Sequence, residues 1–368
     1  MERVRFEDIV TRVNTKEDRF NTDKIYYVGG EHIESNDIKV HQRGIIKGST
    51  IGPMFYCGFK AGDVLFVTRN PHLRKCAVVD FDGICSEKTF VLGTKDTSRL
   101  LQEYLPLIMQ SDDFWAYCEE NKSGGVNFFV NWSTLANYEF DLPSLEEQRV
   151  LADKLWAAYE VKESYKNLLA QTDKLLHAQF EKMFGDVENR PLHEACDIVM
   201  GSSPDSSTYN NERNGLPFYQ GKTEFGEMYV ENPTIYCSQP IREAEQNDIL
   251  MSVRAPVGAV NFAIDHCCIG RGLCSIRAKE DTTEQLFVFY ALKIQENEIE
   301  RLGTGSTIKC INKEQVYKIP IPKCDKNTQH EFVRIAENAE QTKASLNKGI
   351  EAIEAVIRSL IAEGTTKV

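Results

Sequence analysis

The apolar positions of this chain keep two rhythms in alternation. From Leu145 to Met183 neither proline nor glycine interrupts the sequence, and apolar or small residues fall at Leu151, Leu155, Ala158, Tyr165, Leu169, Thr172, Leu176 and Met183. This four-three spacing is a heptad seam, which predicts a long helix built to pack on another. Moving on by 181 residues brings the seam round again at Phe332, Ala336, Ala339, Leu346, Ile350, Ile353 and Ile357, and its polar interruption repeats as Lys162 and Lys343. Two helices with one pattern in one register predict a coiled coil, in which a polar core residue fixes register. Elsewhere the rhythm shortens. KIYYVGG, DVLFVTR and KTFVLG in the first part, and LPFYQG, DILMSVR and CSIRA in the second, are short apolar runs bounded by turn residues and predict strands. One further helix is expected in each part, near residues 100–121 and 284–302.

The repetition extends beyond the helices. Asp63-Val64-Leu65-Phe66-Val67-Thr68-Arg69 returns as Asp248-Ile249-Leu250-Met251-Ser252-Val253-Arg254, with Asp, Leu and Arg at one spacing and an offset of 185. Asp8-Ile9-Val10 returns as Asp197-Ile198-Val199, and Tyr138-Glu139-Phe140-Asp141-Leu142-Pro143 as Tyr317-Lys318-Ile319-Pro320-Ile321-Pro322, so the offset drifts from 189 to 179. Drift of this kind marks loop insertions and deletions within one duplicated unit. The expected architecture is α+β: two similar mixed globular domains, residues 1–141 and 186–320, separated by two long helices, residues 142–185 and 321–368. For the helices to lie side by side the second must run back along the first, giving an antiparallel coiled coil, a pseudo-twofold internal repeat and a C-terminus near the first domain. A helix of about 33 residues is roughly 50 Å long, so each domain is expected at one end of a rod.

Composition narrows what such a molecule can do. The 368 residues carry a formal charge of -12, and no segment is net basic: residues 1–140 hold 17 basic against 20 acidic side chains, and residues 186–320 hold 13 against 20. Sequence-independent DNA affinity comes from phosphate neutralisation, so this chain alone should bind DNA poorly. The eleven cysteines include no Cys-x-x-Cys pair, and His266-Cys267-Cys268 with Cys274 sits in AIDHCCIGRGLCSIRA, which reads as a buried strand rather than a metal site. Free thiols and a charged first segment, MERVRFEDIV, point to the cytoplasm, and no apolar run reaches the roughly 18 residues of a membrane span.

GLPFYQGKTEFG resembles a phosphate cradle only superficially. Gly215 and Gly221 have five residues between them where a P-loop has four, and EFGEMYVENP supplies no helix N-terminus to hold an anion. No Asp/Asn-Pro-Pro-Tyr/Phe motif of an amino-methyltransferase occurs, Gly303-Thr304-Gly305 lacks the setting of a cofactor loop, and no Ser, His and Asp form a nucleophile turn.

Over nearly its whole length the chain resembles the specificity subunits of Type I restriction-modification systems. The resemblance is carried by Pro143 to Gln148 at the start of the first long helix, Gly305 to Lys309, the strand Asp248 to Arg254, and Gly201-Ser202-Ser203-Pro204. It implies two target recognition domains, each reading half of a split site in double-stranded DNA, with the helices setting the gap. It also implies a non-catalytic chain whose partners are two methyltransferase subunits and restriction and translocase subunits, S-adenosylmethionine and ATP being bound by those partners. Two departures stand out: the first domain offers Lys122-Ser123-Gly124-Gly125-Val126-Asn127 in place of Gly-Ser-Thr-x-Lys, and the second helix opens with CDKNTQHEF, although Gln148 and Gln329 still match.

In this reading Pro217 to Thr223 is a strand and loop reaching toward DNA, with Tyr26 to Gly30 as its first-domain version. The expected DNA-binding residues are Gly30, Arg69, Arg74, Lys88, Ser123 and Asn127 in the first domain, and Gly221, Lys222, Thr223, Arg254, Arg271, Ser306, Thr307 and Lys309 in the second, with Lys75 a further candidate. Glycine permits close backbone approach, and Lys, Arg, Ser and Thr donate to phosphates and base edges. The alternative for each arginine is a salt-bridged scaffold residue. For the whole chain the rivals are a duplicated protein-interaction scaffold and an enzyme using Lys222.

Overall fold

The computed structural model describes residues 2–304 and 309–364. The chain forms two compact units, one from residues up to 166 together with those from 347 onward, the other from residues 167–346. Both are built on one plan. In the first, Val10–Val13, Thr89–Thr94, Val64–Val67 and Cys76–Val78 make a four-stranded antiparallel sheet in that order. In the second, Cys196–Met200, Leu273–Ala278, Ile249–Ser252 and Val260–Phe262 repeat it. A five-stranded sheet lies in each unit as well, and both contain a parallel pair: Tyr26–Val28 with Gly83–Ser86, and Leu216–Tyr219 with Cys267–Ile269.

The duplicated strand explains the layering. Val64, Leu65, Phe66 and Val67 are all buried, because successive side chains leave opposite faces and both faces are covered. Val64 and Phe66 join a core with the helices, while Leu65 and Val67 join the core facing the five-stranded sheet. Ile249 and Met251 divide from Leu250 in the same way. Of the cluster expected in one buried strand, Cys267 and Cys268 lie in the buried strand Cys267–Ile269 and Cys274 in the next, Leu273–Ala278, whereas His266 is exposed just before the first and pairs with Glu243 at 2.7 Å. The helix expected over 100–121 is broken in two, Leu105–Gln110 and Asp112–Glu120. Ser111 ends the first, and its hydroxyl accepts from Phe114 N to cap the second at 3.2 Å. The other divides into Gln285–Ile294 and Glu296–Arg301.

The two long helices are Leu145–Phe184 and Lys326–Glu363. Ser144 and Glu147 close a capping box at the first, where Ser144 Oγ donates to Glu147 Oε2 at 2.7 Å. Asp325 caps the second by accepting from the Asn327 and Thr328 amides at 2.9 and 3.0 Å. Every seam position predicted above is buried or half-buried. The helix ends do more than pack on each other: Leu151, Leu155, Tyr159, Ile357 and Leu360 are core residues of the first unit, and Leu176, Phe180, Phe184, Phe332 and Ala336 of the second.

The helices run antiparallel within each unit. Lys162 Nζ meets Glu354 at 3.0 Å and the Tyr165 ring lies over Gly349, where an added Cβ would fall 2.4 Å from it. In the second unit Lys343 Nζ meets Asp173 at 3.1 Å and the rings of Phe180 and Phe332 are 5.3 Å apart. The offset of 181 that carries Lys162 to Lys343 also carries Asp173 to Glu354, so one cross-helix ion pair occurs twice. Burial pulls the pKa of Lys343 down, but its bonds to Glu340 and Asp173 outweigh that and raise it.

A third repeat fixes each helix to its unit. Gln148 and Gln329 are wholly buried. The Gln148 amide donates to Arg99 O and Pro143 O at 2.8 and 3.0 Å and accepts from Leu101 N at 2.9 Å. Gln329 donates to Thr282 O and Cys324 O at 3.1 and 3.0 Å and accepts from Glu284 N at 2.8 Å.

Candidate nucleic-acid interface

The strands carrying the repeated sequence end at Arg69 and Arg254, and each arginine backbone is bridged to a hairpin loop. In the first unit Ser123 and Phe129 exchange backbone hydrogen bonds at 2.8 and 2.9 Å, while Val130 N donates to Thr68 O and Asn70 N to Phe128 O. In the second, Thr304 and Cys310 exchange bonds of 3.0 Å, while Ile311 N donates to Val253 O and Ala255 N to Lys309 O. The two loops have equal length, since 123 to 129 and 304 to 310 share the offset of 181. The loop differing from Gly-Ser-Thr-x-Lys is therefore held bond for bond like the one that matches it. Gly124, at φ +99° with an added Cβ 2.5 Å from Asn127 O, makes the tight turn possible.

Around Arg69 the predicted first-unit residues gather. Its guanidinium lies 4.9 Å from the centre of the Phe129 ring and donates to Asn127 O at 3.4 Å. Lys88 O accepts from both the amide and the hydroxyl of Thr68, and Ser123 Oγ accepts from Asn131 Nδ2 at 3.3 Å. Gly30 lies under Val67, and its carbonyl accepts from Lys75 Nζ at 2.6 Å, which gives Lys75 a scaffold task. Phe59 pairs with Gly83 as Ala244 pairs with Cys267, so Cys85 corresponds to Ile269; their parallel partners Val28 and Tyr219 then correspond, which makes Gly30 the counterpart of Gly221. Arg74 belongs elsewhere: it pairs with Asp112 at 2.6 Å in a cleft of about 990 Å³ lined also by Tyr159, Lys162 and Glu354.

The second unit brings Gly221, Lys222, Arg254 and Arg271 together with Ser203 in a cleft of about 160 Å³. Ser203 Oγ lies 3.3 Å from both the amide and Nε of Arg271, so the Gly201 to Pro204 segment anchors the arginine. The backbone there is crowded. An added Cβ on Gly201 would fall 2.2 Å from Gly270 O and one on Gly272 2.2 Å from Gln220 O, so glycine is what lets these segments touch. Thr223 is exposed in a turn closed by Phe225 N donating to Lys222 O at 3.0 Å, and no helix follows it. This is not phosphate-cradle geometry. Arg254 and Lys309 are exposed beside the second hairpin; Ser306 and Thr307 lie outside the described residues.

Two features escaped the sequence reading. Glu87, just before Lys88, holds a carboxylate at the first-unit site. Its pKa is lowered by the hydrogen bond from Tyr56 and then by Lys88. In the large cleft, buried Asp37 accepts from the Tyr159 hydroxyl, and His41 Nε2 lies 2.9 Å from that hydroxyl. Burial and then the hydrogen bond to Asp37 push the Tyr159 pKa up.

Residues 185–355 match the Type I restriction modification DNA specificity domain. Over 398 aligned residues, which take in 98% of this chain and 87% of the relative, the chain is 27% identical to the type I restriction enzyme MjaX specificity subunit assigned in Methanocaldococcus jannaschii. It is 28% identical, with a TM-score of 0.67, to a chain of a type I R-M system solved to explain complex assembly and conformational transition, covering 99% of this chain and 97% of that one. It shares its fold with the S subunit of a type I restriction-modification system from M. genitalium, at 16% identity and a TM-score of 0.60 over 100% of this chain and 96% of that one.

Proposed function

We infer that this chain, which belongs to the specificity-subunit family of Type I restriction-modification systems, is the non-catalytic part that selects the DNA sequence. Each unit reads one half of a split site, and the paired helices set the gap and dock two methyltransferase subunits. Restriction and translocase subunits join that assembly, and S-adenosylmethionine and ATP bind to the partners. The observation that carries the reading is the duplicated set: a strand-end arginine bridged to a hairpin of one length, Arg69 with Ser123 to Phe129 and Arg254 with Thr304 to Cys310. Two equivalent groups of donors on a duplicated frame suit a site in two parts.

The charge of -12 supports a reader that works within a complex. Phosphate neutralisation must come largely from partners, so binding by the isolated chain is expected to be weak and the assembled complex strong. Among the described residues no helix is long and apolar enough to cross a membrane, in keeping with action on cytoplasmic DNA. The test is a map of methylated bases in cells expressing the methyltransferase subunit with and without this chain. A split motif with a fixed gap that needs the chain is expected. A contiguous motif, or methylation unchanged by deletion, refutes the reading.

A further inference from the structure

The two units carry opposite charges at one comparable place. Thr68 N donates to Lys88 O at 2.9 Å, and its counterpart Val253 N donates to Gly272 O at 2.8 Å. The residue just before each acceptor is Glu87 in one unit and Arg271 in the other. The connection from the parallel strand has the same length in both units, so Ser86 corresponds to Gly270; Ser86 is buried and its hydroxyl accepts from Lys88 N at 3.2 Å. Glu87 is the charged group at the surface there, its side chain 35% accessible beside Lys88.

The Glu87 carboxylate is held, yet not used up. Tyr56 Oη donates to its Oε2 at 3.0 Å, Lys88 Nζ lies 3.2 Å from its Oε1, and Glu87 N donates to Met54 O at 2.8 Å. A carboxylate has about four lone-pair sites, so acceptor capacity remains after these contacts. A fixed, ionised acceptor is a poor neighbour for phosphate but a good partner for a base-edge amino group. Arg271, anchored by Ser203 beside Arg254 and Lys222, presents donors only, the match for guanine O6 and N7.

We propose that Glu87 is a specificity residue that accepts a hydrogen bond from the N4 amino group of a cytosine in the first unit's half-site, whereas Arg271 donates to a guanine in the second unit's. This rests on the sequence-selecting function inferred above. The test is a methylation map of cells making the methyltransferase subunit with the full-length parent chain or with Glu87→Ala, Glu87→Gln, Tyr56→Phe or Arg271→Ala. If the parent gives no chain-dependent split motif, it is the general function that fails. Given such a motif, Glu87→Ala should relax one C·G pair in one half-site by roughly 5- to 150-fold in discrimination, leaving the other half-site unchanged. Glu87→Gln, which keeps the size of the side chain, should move preference at that pair toward A·T, because a glutamine amide matches adenine. Tyr56→Phe should blur the same pair more weakly, and Arg271→Ala should relax a G·C pair in the opposite half-site. A parental motif retained by both Glu87 variants overturns the proposal. So does relaxation at an A·T pair, or Glu87 and Arg271 variants acting on the same half-site.

Discussion

Replacing Gln148 by methionine tests how each helix is fastened to its unit. The side chain is wholly buried and makes three hydrogen bonds to backbone atoms, at Arg99 O, Pro143 O and Leu101 N. Methionine fills nearly the same volume and offers none of them. Each bond contributes about 1 kcal/mol net, and stranding the buried partners adds to that, so the loss should be about 3 to 5 kcal/mol. Against a typical domain stability of about 5–15 kcal/mol this is severe. The protein carries its own reporter, because all three tryptophans, Trp115, Trp132 and Trp156, belong to the first unit. In urea, Gln148→Met should lower the midpoint seen by tryptophan fluorescence by on the order of 1 M or more. The matching change Gln329→Met should lower the circular-dichroism transition while leaving the fluorescence midpoint nearly in place. A fluorescence midpoint that moves by less than about 0.3 M in Gln148→Met would refute the assigned role.

Other outcomes follow from the same features. Arg254→Ala in the assembled complex should weaken binding to DNA carrying the intact second half-site by about 1–3 kcal/mol, measured by fluorescence anisotropy at fixed salt; unchanged affinity would make Arg254 a scaffold residue. Inserting one heptad into both long helices should lengthen the gap in the methylated motif and leave each half-site as it was, so an altered half-site would contradict separate roles for helix and reader. Burial holds the thiols of Cys196, Cys267 and Cys274 up at about 12, against 9.0 for a free thiol. The folded state then keeps protons that the unfolded chain loses, so stability should be fully present below pH 9 and fall as pH rises from about 9 toward 12. Cys274→Val should flatten that decline in thermal unfolding; an equal slope would count against it.

The long helices were legible because a seam sustained over more than four heptads leaves few alternatives, and the duplication removed most of the rest. Lys162 and Lys343 stood out as polar breaks in the seam. Their partners Glu354 and Asp173 did not, since a pairing across antiparallel helices depends on a register that neither sequence states alone. Gln148 and Gln329 were visible as a match but not as clamps, because everything they bind is backbone. At the candidate interface, Arg69 and Arg254 emerged from the repeat; the equal hairpins did not, because backbone bonds hold them and their sequences differ, and Arg74 proved to be tied to Asp112. Glu87 was missed because DNA contacts are sought among cations, and because Glu87-Lys88 stands against Arg271-Gly272 with no shared residue to mark the correspondence. The break at Ser111 went unseen because serine interrupts a helix only when its hydroxyl finds an amide to cap.

The first unit is discontinuous: it opens with the first strand and is completed by Ile357, Leu360 and the bond from Tyr104 Oη to Gly364 O at 2.7 Å. The second, residues 167–346, is a single uninterrupted stretch. On the ribosome, then, the half synthesised earliest cannot seal its interior until residues 347–364 have been added, whereas the later half has all it requires some twenty codons sooner. Maturation should thus run against the order of synthesis. A nascent chain stalled short of its final helical turns should protect residues 167–346 from protease while leaving the leading portion open to cleavage.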